Sequence, residues 1–425
     1  MQQDASNILV INPAGGNEPI IRGARIGLAI NKKCKLQDMR PLTIVIPITD
    51  ERQRGVLADE LLGLTGTERI VLDEGAGGIL RTVLKSQGDF VRHVHVLHDE
   101  YAMIQAALNA RYGRTARHRF TVTDLTGQAR SLDPRHIIGT LDIGGRIAID
   151  AHRRDFAFPV LTSELLRAAR EAGLSAAGVD EAMLQRVEDR LRGTDNEYHY
   201  RFLPLVHSLA GLAVTKTADR PMTAKFDELT AQPPQTLAGE VTYTPPLKSI
   251  APLQEYEGVE AEGIYAMLSG TDSGTAETLA ATLRAATDAG LAVYTNPWAT
   301  QADGMVRVTP KAISDPRISA VVGRAGWGTG WQLLNTGKTW LVIPLQDGDD
   351  PEIYFNHQTI SRLGIGMIID PANFGAAELT HAIQTYGPRV RELRSLTSMH
   401  FGTSDGNELV ARMLTDSYKA DGVLT

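Results

Sequence analysis

The stretch ISAVVGRAGWGTGWQ, Ile318–Gln332, restricts what this chain can fold into more than any other. Its first five residues form an apolar, largely β-branched run, the pattern of a buried strand. Glycines follow at positions 323, 326, 328 and 330, and an apolar helical stretch then runs to Gly337. Glycines between a strand and a helix let the backbone come close to a ligand. The first N–H groups of the helix have no acceptor within it, and its dipole favours an anion there. Arg324 and the Thr329 hydroxyl add a cation and a donor, so Arg324, Gly326, Gly328 and Thr329 read as a diphosphate cradle. A tight turn that binds nothing has the same glycine pattern, so the neighbouring segments must decide.

Downstream, Gly337–Gln346 reads as a strand ending at Pro344 and Leu345. The acidic turn Asp347, Asp349, Asp350 and Glu352 follows, and then a helix bearing Asn356. Ligands of open α/β sheets bind outside the carboxyl ends of the strands, which places both turns at one edge. Carboxylates there hold sugar hydroxyls while the glycine turn holds phosphates. The same four residues also suit a solvated loop with a helix cap.

The rest of the chain supports two such sheets. Strands are expected at Ile8–Ile11, Leu42–Ile48, Arg69–Leu72 and Val94–Leu97. Helices alternate with them after Pro19 and at Arg52–Leu64, Gly78–Leu84 and Tyr101–Ala110. Residues 112–250 are less regular, with helical stretches at Leu161–Ala172 and Ala176–Arg192. The glycine loop Asp142–Arg146 reads either as an acceptor-pocket lining or as an ordinary turn. Prolines at 233–234 and 245–246 mark a boundary near 250. The pattern then restarts, with strands at Gly263–Leu268, Leu291–Tyr294, Met305–Val308, Ile318–Val322 and Trp340–Pro344. Helices are expected at Ala276–Ala289, Glu352–Leu363 and Ala376–Tyr386. Strands alternating with helices imply parallel sheets covered on both faces, and 425 residues imply more than one domain.

A net charge of −7 argues against nucleic acid as a partner. No run reaches the ~18 apolar residues of a membrane span, and the N-terminus reads as a first strand rather than a signal peptide. The single cysteine, Cys34, rules out an internal disulfide and a Cys-rich zinc site, and it fits a reducing cytoplasm.

Gly323–Gly330 followed by Gly337–Asp347 resembles the donor-binding region of GT-B glycosyltransferases, above all the UDP-glycosyltransferase family and the lipid-II-forming N-acetylglucosaminyltransferases. The resemblance is clear over about residues 305–365 and extends back to 263. It implies an α/β fold of two Rossmann-like parallel-sheet domains facing across a cleft. Residues 1–250 would bind the acceptor, 251–395 the donor, and 396–425 would form a helix returning to the N-terminal domain. It further implies a nucleotide-sugar donor, a UDP-sugar, bound without a metal or other cofactor. Arg324, Gly326, Gly328 and Thr329 would face the diphosphate, and Gln332 would replace the usual ribose-binding Glu. Asp349, Asp350 and Glu352 would contact the sugar. The Glu-Pro-Phe-Gly motif of many retaining members is absent, which favours inversion.

Inversion needs a base for the acceptor hydroxyl. The family carries a His in the first glycine loop. Here that loop is Asn12–Pro19, with Gly16 and Asn17 expected to face the acceptor and Asn17 standing at the His position. The candidate bases are Glu18, beside it, and His98 and Asp99, at the end of the expected strand Val94–Leu97. His93 and His95 read as that strand's polar face. Two other readings share these features: a nucleotide-sugar epimerase of the same architecture, and a non-catalytic donor-binding subunit, which the missing His motivates.

Overall fold

Three short runs near the N-terminus are mostly apolar, which suits strands buried on both faces of a parallel sheet. A computed structural model of the chain describes residues 7–11, 17–85, 90–141, 154–156, 202–204, 242–244, 248, 251, 253–268, 276–299 and 303–345, and 353–424 except 354, 355, 358, 359, 362 and 404. The apolar runs are β1 (Ile8–Ile11), β2 (Thr43–Pro47) and β3 (Ile70–Asp73), with every residue buried. They pair in parallel through α1 (Asn17–Leu36) and α2 (Glu51–Leu61), in registers such as Ile8 with Thr43 and Ile44 with Ile70. Asp50 caps α2 by accepting from the Gln53 amide. After β3 come α3 (Glu74–Lys85) and α4 (Phe90–Tyr112).

Helix α4 corrects one sequence expectation. Val94–Leu97 is not a strand, and His93, His95, His98 and Asp99 lie within a single helix. The reason is periodicity: Val96, Ile104, Leu108 and Tyr112 form one stripe at multiples of four residues, and that stripe packs into the sheet's core.

The hairpin β4 (Phe120–Asp124) and β5 (Ala129–Leu132) runs antiparallel and closes one edge of the sheet, a pairing that the sequence reading did not find. Its turn is built on Asp124, which accepts from the Thr126 amide at 2.9 Å, the Thr126 hydroxyl at 2.6 Å and the Gln128 amide at 3.0 Å, while Gly127 takes φ 90°. Next come β6 (Ile137–Leu141) and β7 (Arg154–Phe156), and the sheet order is β5-β4-β3-β2-β1-β6-β7. Two short strands, β8 (Phe202–Pro204) and β9 (Thr242–Thr244), pair with each other in parallel. A fully buried carboxylate, Asp73, ends β3. Arg111 grips it at 2.7 and 2.6 Å, Tyr112 donates to it at 2.5 Å, and it caps the Ala76 amide at 3.0 Å.

The second sheet is wholly parallel. In chain order it comprises β10 (Gly263–Ala266), α5 (Ala276–Asp288), β11 (Ala292–Thr295), β12 (Val306–Arg307), β13 (Ile318–Gly323), α6 (Trp327–Thr336), β14 (Thr339–Val342), β15 (Gly366–Ile368) and α7 (Ala376–Phe401). The strand order is β12-β11-β10-β13-β14-β15, which leaves β10 and β13 adjacent at the centre. Leu279, Ala285, Val322, Leu341, Leu379 and Ala382 share one buried core there. Helix α6 stops at Gly337, a left-handed C-cap with φ 72°.

Helix α7 runs well past the expected end at Tyr386, through Pro388. A proline inside a helix removes one backbone donor. Here Leu379 and Ala382 before it and Val390, Leu393 and Thr397 after it are all buried, so packing holds one helix across the break.

Contacts divide the chain into two compact units, and Gly406–Thr425 clusters with the N-terminal sheet rather than with Pro245–Asp405. In that first unit α8 (Gly406–Ala420) packs on α1, with Lys32 Nζ 3.2 Å from Glu408 Oε1, and Asn7 Nδ2 donates to the Val423 carbonyl at 3.1 Å. Among the described residues no helix is long and apolar enough to cross a membrane. Gly16, Asp142–Arg146, the expected helices 161–172 and 176–192, the prolines at 233–234 and the acidic turn Asp347–Glu352 lie outside the described residues.

Candidate nucleotide-sugar site

The carboxyl edge of the second sheet carries Arg324, Gly326, Gly328 and Thr329. Strand β13 ends at Gly323, and the chain turns tightly, with the Gly326 amide donating to the Arg324 carbonyl at 2.7 Å. Gly326 is the N-cap of α6 and offers no side chain to its first turn. The Gly330 amide bonds the Gly326 carbonyl at 3.1 Å, so the amides of Trp327, Gly328 and Thr329 precede the first intrahelical bond. A Cβ on Gly326 would meet none of the described residues within 4 Å. None of these glycines has a positive φ. They are needed for close approach, not for an unusual backbone shape.

Two kinds of glycine occur in this stretch. A Cβ on Gly330 would lie 3.0 Å from the Trp340 ring. Gly330 therefore lets α6 settle on β14, whereas Gly326 has no described residue against it.

Arg324 is half-buried at this edge, and Thr329 rests its hydroxyl on the Met267 sulfur, just beyond β10, at 3.3 Å. Gln332 lies one turn further along α6. It is buried, and its Nε2 donates to the Pro310 carbonyl at 3.2 Å. The four cradle residues thus share one turn, with Gln332 on the helix that follows.

Three further residues complete the edge without having been assigned roles from the sequence. Asn296, buried beyond β11, accepts from the Leu268 amide at 3.1 Å through Oδ1, and its buried Nδ2 has no hydrogen-bond partner among the described residues. Asn356 is buried on the helix after β14 and donates to the Ala325 carbonyl at 2.6 Å. His357, beside it, bonds the backbone of Ile343, and its buried Nε2 has no partner among the described residues. Burial pushes the His357 pKa down, the Ile343 bond opposes this, and nearby Arg324 adds to the depression, which favours a neutral ring. Sequence carries little signal for such groups, because each acts on a partner brought close only by the sheet.

The candidate bases fall elsewhere. Asn17 and Glu18 begin α1. Asn17 Oδ1 is buried with no partner among the described residues, and Glu18 is half-buried with Oε1 4.0 Å from the buried Arg22 guanidinium. Asp99 is exposed partway along α4, so no strand end presents it or His98 to a ligand.

Residues 316–397, from just before β13 to near the end of α7, match the glycosyltransferase family 28 C-terminal domain. No curated protein matches the chain. Among solved structures it is similar to Arabidopsis thaliana UGT89C1 complexed with UDP-L-rhamnose, at TM-score 0.53 and 11% identity over 96% of this chain and 98% of that one. It is similar to the glycotransferase of kitacinnamycin at TM-score 0.54 and 12% identity, over 96% and 99%. It is also similar to Medicago truncatula UGT71G1 complexed with UDP-glucose at TM-score 0.53 and 10% identity, over 98% and 99%. The likeness runs the length of both chains at very low identity and is one of architecture. The chain therefore has the GT-B fold of two Rossmann-like sheets, with a segment matching the glycosyltransferase family 28 C-terminal domain at its glycine turn.

Proposed function

We propose that this chain transfers a sugar from a nucleotide-sugar donor, specifically a UDP-sugar, to an acceptor hydroxyl with inversion at the anomeric carbon. The observation that carries the reading is the start of α6: the amides at 327–329 precede the first intrahelical bond, the N-cap Gly326 supplies no side-chain acceptor to them, and Arg324 lies two residues before that cap. They bind the diphosphate and stabilise its charge as it departs, without calling on a metal. Thr329 adds a hydroxyl, Gln332 lies toward the ribose, and Asp349, Asp350 and Glu352 hold the sugar. The acceptor binds at the N-terminal unit near Gly16 and Asn17. Its oxygen attacks the anomeric carbon, the bond to the diphosphate oxygen breaks, and Glu18 takes the hydroxyl proton. The family model and the solved relatives are those of transferases, which does not favour an epimerase or a donor-binding subunit. The lone, buried Cys34 fits a cytoplasmic protein.

The test is thermal stabilisation by UDP-, GDP- and dTDP-sugars, with Arg324→Ala and Thr329→Ala alongside. A ligand at 100 times its Kd stabilises by about 2.7 kcal/mol. UDP-sugars should raise the melting temperature of the wild-type protein, and both substitutions should shrink the shift. A protein that no nucleotide sugar stabilises would refute the reading.

A further inference from the structure

Asn356 sits 31 positions after Ala325, yet its Nδ2 donates to the Ala325 carbonyl at 2.6 Å, and the side chain is only 5% exposed. Ala325 is the middle residue of the phosphate turn, between Arg324 and the N-cap Gly326. A peptide carbonyl is the negative end of its dipole. Were the 325–326 peptide to rotate, that carbonyl would be free to face a bound anion. The amide of Asn356 holds it in place, while the Gly326 amide is taken by the Arg324 carbonyl at 2.7 Å. The next residue adds a second tie: His357 bonds the backbone of Ile343, whose amide donates to the Gly323 carbonyl at 3.0 Å. Two consecutive side chains thus secure the ends of both β13 and β14.

We infer that Asn356 is a positioning residue for the diphosphate: it keeps the 325–326 peptide oriented so that the amides of α6, and not a carbonyl, meet the ligand. The inference rests on the nucleotide-sugar reading of this edge.

The test separates a phosphate-specific effect from general loosening. UDP affinity is measured by titration calorimetry and uridine affinity by ligand-observed NMR, on wild type, Asn356→Asp and Asn356→Ser. The aspartate keeps the shape but sets a carboxylate against the carbonyl, and the smaller serine guards against misfolding. Circular dichroism melts report the fold of each variant. The expected result is about a tenfold or greater loss of UDP affinity in both variants, with uridine affinity unchanged. Equal losses for UDP and uridine would mean a merely structural role and overturn the inference, as would unchanged UDP affinity. Wild-type protein that binds neither ligand would instead overturn the nucleotide-sugar reading itself, and the inference with it.

Discussion

Gly330 and Trp340 are in contact through an absent atom: a Cβ on Gly330 would stand 3.0 Å from Cη2 and Cζ3 of the indole. Two glycines four residues apart therefore do different work. Gly330→Ala should destabilise the fold by about 1–3 kcal/mol, because overpacking against a buried ring outweighs alanine's ~1 kcal/mol advantage in helix propensity. Gly326→Ala, with no described residue against its Cβ, should cost only the weaker N-cap, up to about 1 kcal/mol and less than Gly330→Ala, while weakening UDP binding. Equal stability losses in the two variants would contradict this division.

Removal of Arg111 strands a charge. Asp73 is fully buried and is held by Arg111 at 2.7 and 2.6 Å and by Tyr112 at 2.5 Å. Arg111→Met should cost about 3–5 kcal/mol, the range for leaving one member of a buried pair uncompensated. Tyr112→Phe should cost about 1 kcal/mol, since the guanidinium remains. Denaturant unfolding measures both, and a milder effect for Arg111→Met than for Tyr112→Phe would refute the ranking.

Acidification should act through His357. Burial lowers its folded pKa below the ordinary ~6.5, so the unfolded chain binds the proton more readily. Its contribution is complete above ~6.5 and is lost as pH falls through the lower folded value. Between pH ~7.5 and ~5.5 the wild type should lose more stability than His357→Gln. Parallel pH profiles for the two proteins would show that the ring is not buried in its neutral form.

Lys338 predicts the behaviour in alkali. Its Nζ donates to the carbonyls of Asp315 at 2.8 Å and Ile318 at 2.5 Å, and burial lowers its pKa to about 8 against the attraction of Asp315. The unfolded chain holds this proton up to the ordinary ~10.4, so the contribution to stability rises as pH climbs from about 8 toward that value. Compared with Lys338→Met, the wild type should gain stability over that window in urea titrations. A difference that stays constant with pH would count against the shift.

Cys34 is buried on α1, and burial pushes its thiol pKa up. Thiolate is the reactive form, so a disulfide reagent should leave the folded protein unlabelled and modify one thiol once urea unfolds it. Rapid labelling of native protein would show that α1 is not packed as described.

The alternation of apolar strands with helices was legible in the linear chain because burial on both faces demands continuous apolar runs, and β1, β2, β3 and β13 are such runs. The phosphate turn was legible because its chemistry is local: strand end, glycines and helix start are neighbours in sequence. Contacts between distant segments were not. Val94–Leu97 resembles a strand in isolation, and only the stripe shared with Ile104, Leu108 and Tyr112 makes it helix. Pro388 looks like a stop until Val390 and Leu393 are found buried beyond it. Gly326 and Gly330 are the same letter, and only the approach of Trp340 separates ligand room from packing room. Asn356 has no meaning for the turn until the sheet brings it to Ala325. Local backbone preference is written along the sequence, whereas a hydrogen bond between residues 31 apart exists only once both strands are in register and water is gone.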